Sequence, residues 1–163
     1  MKRTLFIVLF LILIPSFVFA AGTVSQRNSP IKTDFGATIG WELTFTCTGD
    51  ATNGTIPDGS NSETKVEPDI LAELSGAYLY RVIITNTSAQ ADVTDDSDVY
   101  FKTEEGTDLL NGQGVDRLDK DAENYIRLTN YPVMVGDFGT CYIDVDNNSG
   151  ASSVYTITLI FIY

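Results

Sequence analysis

From Trp41 the chain alternates strictly, with Trp41, Leu43, Phe45 and Cys47 separated by Glu42, Thr44, Thr46 and Thr48. A two-residue period over eight positions, rich in Thr and aromatics, predicts a strand with one wet face and one buried face. A second strand is predicted over Tyr78 to Thr85, where Tyr80, Val82 and Ile84 lie opposite Arg81, Ile83 and Thr85. Both of its faces are largely apolar, which places it centrally in a sheet. Val99 and Phe101 mark a third strand ending at a tight turn, Glu104-Glu105-Gly106. Leu109 to Arg117 reads as a compact turn, with Leu109 and Leu110 plugging one end of the fold. Asp119 to Leu128 is expected to hold a single helical turn, and Tyr131 to Val135 a short strand.

Alternation returns in Cys141, Ile143 and Val145, and again in Tyr155, Ile157, Leu159, Phe161 and Tyr163. Asn147-Asn148-Ser149-Gly150 lies between them and reads as the tip of a hairpin. About six strands separated by Gly, Asn and Asp turns, with no sustained helical period, predict a single all-β domain: an antiparallel β-sandwich or jelly-roll. The domain is expected over residues 41–163, preceded by a flexible arm or edge strand at 21–40. Residues 1–20 have the form of a signal peptide. Lys2 and Arg3 precede the apolar run Leu5–Ile14, and Val18 and Ala20 supply small residues for cleavage after Ala20. That run is too short to span a bilayer, so a secreted or periplasmic product is expected, with no membrane attachment after cleavage.

Removing the leader leaves 143 of the 163 residues, and the ten basic residues fall to eight against 22 acidic, moving the net charge from −12 to −14. A domain this acidic repels phosphate backbones, so nucleic acid is not an expected partner. The chain has no histidine, which removes the commonest general base and the commonest metal ligand. A histidine-dependent triad is therefore excluded, and no cofactor is expected. Gly112-Gln113-Gly114 lacks the flanking pattern of a nucleotide-binding loop.

Cys47 and Cys141 both fall on the apolar faces of their strands. In an exported chain the economical reading is a Cys47–Cys141 disulfide, which would stabilise the fold by roughly 4–5 kcal/mol in the chain-entropy model. The alternative is a pair of buried free thiols. Carboxylates are the abundant functional groups. Glu104 and Glu105, or Asp95, Asp96 and Asp98, are the candidates for a glycosidase pair, against the plainer reading of solvated loop ends. Asp144, Asp146 and Asn148 begin like a calcium loop, but the glycine falls one place late and no bidentate acid closes it. Asp92, Asp95, Asp96 and Asp98 form a second oxygen-rich run. Asn53, Asn86 and Asn147 open N-glycosylation sequons.

The run from Asp98 to Arg117, DVYFKTEEGTDLLNGQGVDR, resembles a pattern in small virion structural proteins of tailed phages. The pattern has an aspartate-led strand, an acidic turn with glycine, Asp-Leu-Leu, further glycines and an arginine. Leu43–Pro57, Gly76–Thr85 and the last strand are similar to the same family, extending the likeness over residues 41–163. The resemblance implies a β-sandwich virion component, or phage-like surface component, working through protein–protein contacts. Asp98, Gly106, Asp108 and Arg117 are read as structural; Arg117, one of eight basic residues in the mature domain amid many carboxylates, is expected to pin its loop to one of them, with a ligand anchor as the alternative. The expected function is therefore a non-catalytic structural or assembly protein, its partners other protein subunits, with a homo-oligomer among the options. The alternatives are a pilin-like subunit and a secreted module that binds carbohydrate or another surface ligand, with or without the help of calcium. Trp41, Tyr78, Tyr125, Tyr131 and Tyr155 are the candidate stacking rings of such a module.

Overall fold

The computed structural model describes residues 22–59, 62–86, 97–117, 124–127, 133–134, 139–148 and 150–163. The predicted leader lies outside them, as do Asp92, Asp95, Asp96, Tyr131 and residues 119–123 of the expected helical turn. The chain is all-β and antiparallel. Its strands are β1 (Thr23–Lys32), β2 (Thr38–Thr48), β3 (Tyr78–Asn86), β4 (Asp98–Thr103), β5 (Asn124–Arg127), β6 (Val133–Met134), β7 (Cys141–Asp146) and β8 (Val154–Ile162). A 3-10 turn (Ser62–Thr64) and one short helix, α1 (Pro68–Glu73), connect β2 to β3. Pro68 opens α1, where a missing N–H costs nothing.

The larger sheet runs β1–β2–β8–β3–β5, and β6 shares the far edge of β3 with β5. The smaller sheet is the pair β4–β7. Alternation decides which side chains meet between the sheets. Leu43, Phe45 and Cys47 of β2 and Tyr155, Ile157, Leu159 and Phe161 of β8 are all fully buried. From the smaller sheet, Val99, Phe101, Cys141 and Ile143 join the same core. Phe101 meets Phe161 edge to face, with ring centroids 6.2 Å apart, a geometry that adds to the area the two rings bury.

The region before Trp41 is a full strand. β1 pairs with β2 from Thr23↔Thr48 to Lys32↔Thr38. β3 is central as expected, between β8 and the β5/β6 edge, but its alternation breaks at Tyr80. The register passes from Leu79↔Phe161 to Arg81↔Ile160, so Tyr80 is the extra residue of a bulge. Leu79 and Val82 therefore both point inward, and Tyr80 leaves the face predicted for it. Residues 124–127, expected within a helical turn, form β5 instead, paired with Arg81–Ile84.

Two further expectations need correction. The Asn147–Gly150 turn is not a hairpin tip, because β7 and β8 belong to different sheets. It is a crossover held by Asn148, whose buried amide donates to the Gly54 carbonyl at 2.5 Å. The Asp50 carbonyl also accepts from Ser152 N–H at 3.1 Å.

The cysteines are free thiols, both buried. Period two puts each on the correct face but says nothing of its height along the strand. Cys47 sits opposite Tyr155, at the start of β8. Cys141 pairs with Thr103, two positions from Phe101, whose ring meets Phe161 at the other end of β8. Six residues of strand separate Tyr155 from Phe161, about 20 Å. Burial pushes the Cys47 thiol up to about 12. Burial, with the Glu105 charge, pushes Cys141 up to about 11.

At pH 8 roughly one thiol in a thousand or fewer is then ionised, and the thiolate is the nucleophile. Native protein should leave both cysteines unlabelled by a thiol reagent at that pH, whereas protein unfolded in denaturant should label at two. An unfolded, unreduced sample that takes up no label would mean that a disulfide exists.

Candidate functional site

Residues 104–117 form a loop laid along the free edge of β4. Gly106 turns the chain at φ 83°, and its N–H donates to the Thr103 carbonyl at 2.9 Å. Asp108 then gathers the next turn: Oδ1 accepts from Leu110 N–H at 3.0 Å and Oδ2 from Gly112 N–H at 2.7 Å. Leu109 donates its N–H to the Phe101 carbonyl at 2.7 Å, which carries the buried Leu109 and Leu110 into the core. At Gly114 the loop returns so close to β4 that a Cβ would lie 1.7 Å from the Val99 carbonyl oxygen, a contact only glycine allows. Asp98 closes the loop by accepting from Asp116 N–H at 2.9 Å. Arg117 Nε donates to the Gln113 carbonyl at 3.0 Å, a backbone oxygen rather than the expected carboxylate. Asp98, Gly106 and Asp108 thus serve as turn and edge chemistry.

The outward face of the small sheet is a ladder of polar side chains. Asp98 stands opposite Asp146, Tyr100 opposite Asp144, and Lys102 opposite Tyr142. Lys102 forms an ion pair with Asp144 at 2.5 Å and lies 4.4 Å from the centroid of the Tyr100 ring. Burial alone would pull the Lys102 ammonium down, but the Asp144 hydrogen bond and charge, with Asp146 and Tyr142 behind them, leave it raised. Burial and the charge of Asp98 raise Tyr100. Asp146 is raised by burial and by Asp144, Asp98 and Asp58, with Lys102 opposing. Asp98 is relieved of part of this repulsion, since Asn147 Nδ2 donates to it at 2.7 Å.

The calcium candidates do not converge. Asp144 is occupied by Lys102, while the Asn148 amide is buried against Gly54. Among the described residues no group of three acidic or thiol side chains is placed to hold a metal ion. Of the candidate stacking rings whose side chains are described, Tyr155 is fully buried, Trp41 is half-buried against the core and Tyr78 is exposed.

Glu104 and Glu105 are exposed at their turn. Glu104 also borders a cleft of about 580 Å³ whose wall includes Lys65, Val66, Glu67, Pro68 and Leu71. This cleft was not legible in the sequence, because the segment from Ser62 to Ala77 carries no strong periodicity.

At the opposite edge, β1 is an exposed strand with built-in protection. Val24 N–H points off the edge and is taken by Glu63 Oε2 at 3.4 Å. Pro30 lies on the same alternation and has no N–H to offer, and Arg27 and Lys32 are exposed. The apolar surface gathers elsewhere. Phe35, Ile39, Tyr78 and Tyr163 are four of the five large hydrophobic residues exposed among those described. Tyr163 N–H donates to the Ile39 carbonyl at 3.1 Å, Tyr78 pairs with Ile162, and Phe35 caps the adjoining β1–β2 turn. The four therefore share one end of the large sheet.

Compared with protein-family profiles, with curated proteins and with solved structures, the chain matches none.

The facing carboxylates Asp98 and Asp146 should respond oppositely to removal. Asp98→Ala strands Asp116 N–H and the Asn147 amide, and should lower stability by about 1–3 kcal/mol at pH 7 in chemical denaturation. The folded-state pKa of Asp146 is raised, so its ionisation opposes folding above that pKa and the penalty disappears below the unfolded one. Asp146→Asn should therefore stabilise at neutral pH, with the gain fading as pH falls through the carboxylate range. A destabilised Asp146→Asn at pH 7 would contradict this reading of the ladder.

Proposed function

We propose that this chain is an exported, non-catalytic assembly subunit, a phage-like virion or surface component that works through protein–protein contacts. The observation that carries the reading is the apolar end built from Phe35, Ile39, Tyr78 and Tyr163. Phe35 is 99% exposed and Tyr163 55%. Solvent-exposed aromatic area concentrated at one end of a small domain is characteristic of contact surfaces. The rest of the surface supports the same reading from the other side. Acidic residues dominate it and keep copies apart wherever they are not specifically matched. The loop that resembles virion proteins supports it as well, since Asp98 and Asp108 are spent on backbone N–H groups.

Sedimentation velocity on the exported chain should show a mass that rises with concentration above that of one copy. A single-copy mass at every concentration, together with no cross-linked partner in the native preparation, would overturn the assembly reading.

A further inference from the structure

The turn between β1 and β2 is a three-residue hairpin loop. Gly36 N–H donates to the Thr33 carbonyl at 2.9 Å, Thr33 N–H donates to the Ala37 carbonyl at 2.9 Å, and Gly36 takes φ 82°. This is a tight turn followed by a left-handed residue, and its geometry needs Gly36 and the Thr33 side chain, which accepts from Ala37 N–H at 3.2 Å. Nothing in it needs an aromatic residue beside Gly36, a position where polar residues serve the turn. Yet Phe35 stands there with 99% of its surface open.

We propose that the Phe35 tip of one copy seats in the cleft between Lys65 and Glu104 of a second copy. This rests on the assembly reading above. The cleft offers an apolar wall in Val66, Pro68 and Leu71 and a charged border in Lys65, Glu67 and Glu104. At about 580 Å³ it holds an aromatic ring together with its turn.

The tip presents the matching charges in Lys32 and Asp34, which stand on either side of Thr33 just ahead of Phe35. Lys32 meets Glu67 and Glu104, and Asp34 meets Lys65. Net charge favours the same pairing. Two exported copies at −14 each repel, but the hairpin from Thr23 to Trp41 carries Arg27 and Lys32 against Asp34 alone. It is therefore suited to approach an acidic border. Tip and cleft are different surfaces, so the contact is heterologous, one copy's knob in another's hole.

The test is complementation between two variants, read by sedimentation. Phe35→Ser removes the knob at an exposed position and leaves the cleft whole. Leu71→Arg fills the cleft and leaves the tip whole. The double charge reversal of exposed Glu67 and Glu104 to Lys serves as a second cleft variant that does not touch packing. Each variant alone should associate about thirty-fold more weakly than wild type, or worse. Phe35→Ser mixed with either cleft variant should regain a one-to-one complex, since one intact tip and one intact cleft remain. If Phe35→Ser associates like wild type, or if the mixtures stay apart, the docking is wrong while the assembly reading stands. A wild-type chain that never associates removes both. Wild-type binding to zwitterionic vesicles through Phe35, without self-association, would also overturn the docking by giving the tip a lipid occupant.

Discussion

The inward face of β8 is the constraint on which the rest of this fold depends. It is hydrogen-bonded on both sides, to β2 and to β3, and its four inward side chains from Tyr155 to Phe161 are fully buried. Ile157, Leu159 and Phe161 each contribute about 1.5–3 kcal/mol relative to exposure, and Phe161 carries that burial across to Phe101 in the other sheet. Without this face the β4–β7 pair has nothing to lie on, because two strands alone are at best marginally stable. The loop from 104 to 117, the acidic ladder and the cleft beside α1 are all positioned by the small sheet, and so at one remove by β8.

Much of this was legible because period two is a strong signal wherever one face is wet and the other dry. Leu43–Cys47, Val99–Phe101, Cys141–Val145 and Tyr155–Phe161 fall inward as alternation requires. What the period cannot carry is position along the strand or choice of partner. Cys47 and Cys141 share a core but sit at different heights, so the expected bridge does not form. The turn at Asn147–Gly150 has the composition of a hairpin tip and yet leads from one sheet into the other, since turn chemistry does not specify which edge the next strand joins. A single extra residue at Tyr80 re-aims the start of β3, and nothing in Tyr78–Arg81 marks it. Arg117 was expected at a carboxylate and instead serves the Gln113 carbonyl, while Asp98 and Asp108 of the same segment are engaged by backbone N–H groups. The cleft lies under a stretch without periodicity, and only the folded chain brings Glu104 to Lys65.

The surface divides by the same logic. Where charge is dense, on β4 and β7, it is arranged to be tolerated: Lys102 answers Asp144, Asn147 answers Asp98, and Asp146 bears the unrelieved remainder. Where a strand edge is open, on β1, Pro30 and Glu63 remove two of the groups through which another strand could pair. Apolar exposure is left at the hairpin end, where acidic residues are few. The chain thus guards an open edge and tolerates dense charge on its small sheet, while Phe35 stands bare at the hairpin tip.

Native-state hydrogen exchange tests the role of β8 most directly, because it reads the opening free energy of each amide separately. The β8 amides that bond to β2 and β3 should exchange only through global unfolding, at the slowest rate in the chain, while the outward N–H groups of Gln26 and Asn28 on β1 exchange far faster. If the β8 amides exchanged as readily as those on the open edge of β1, the buried face would not be what holds the two sheets together.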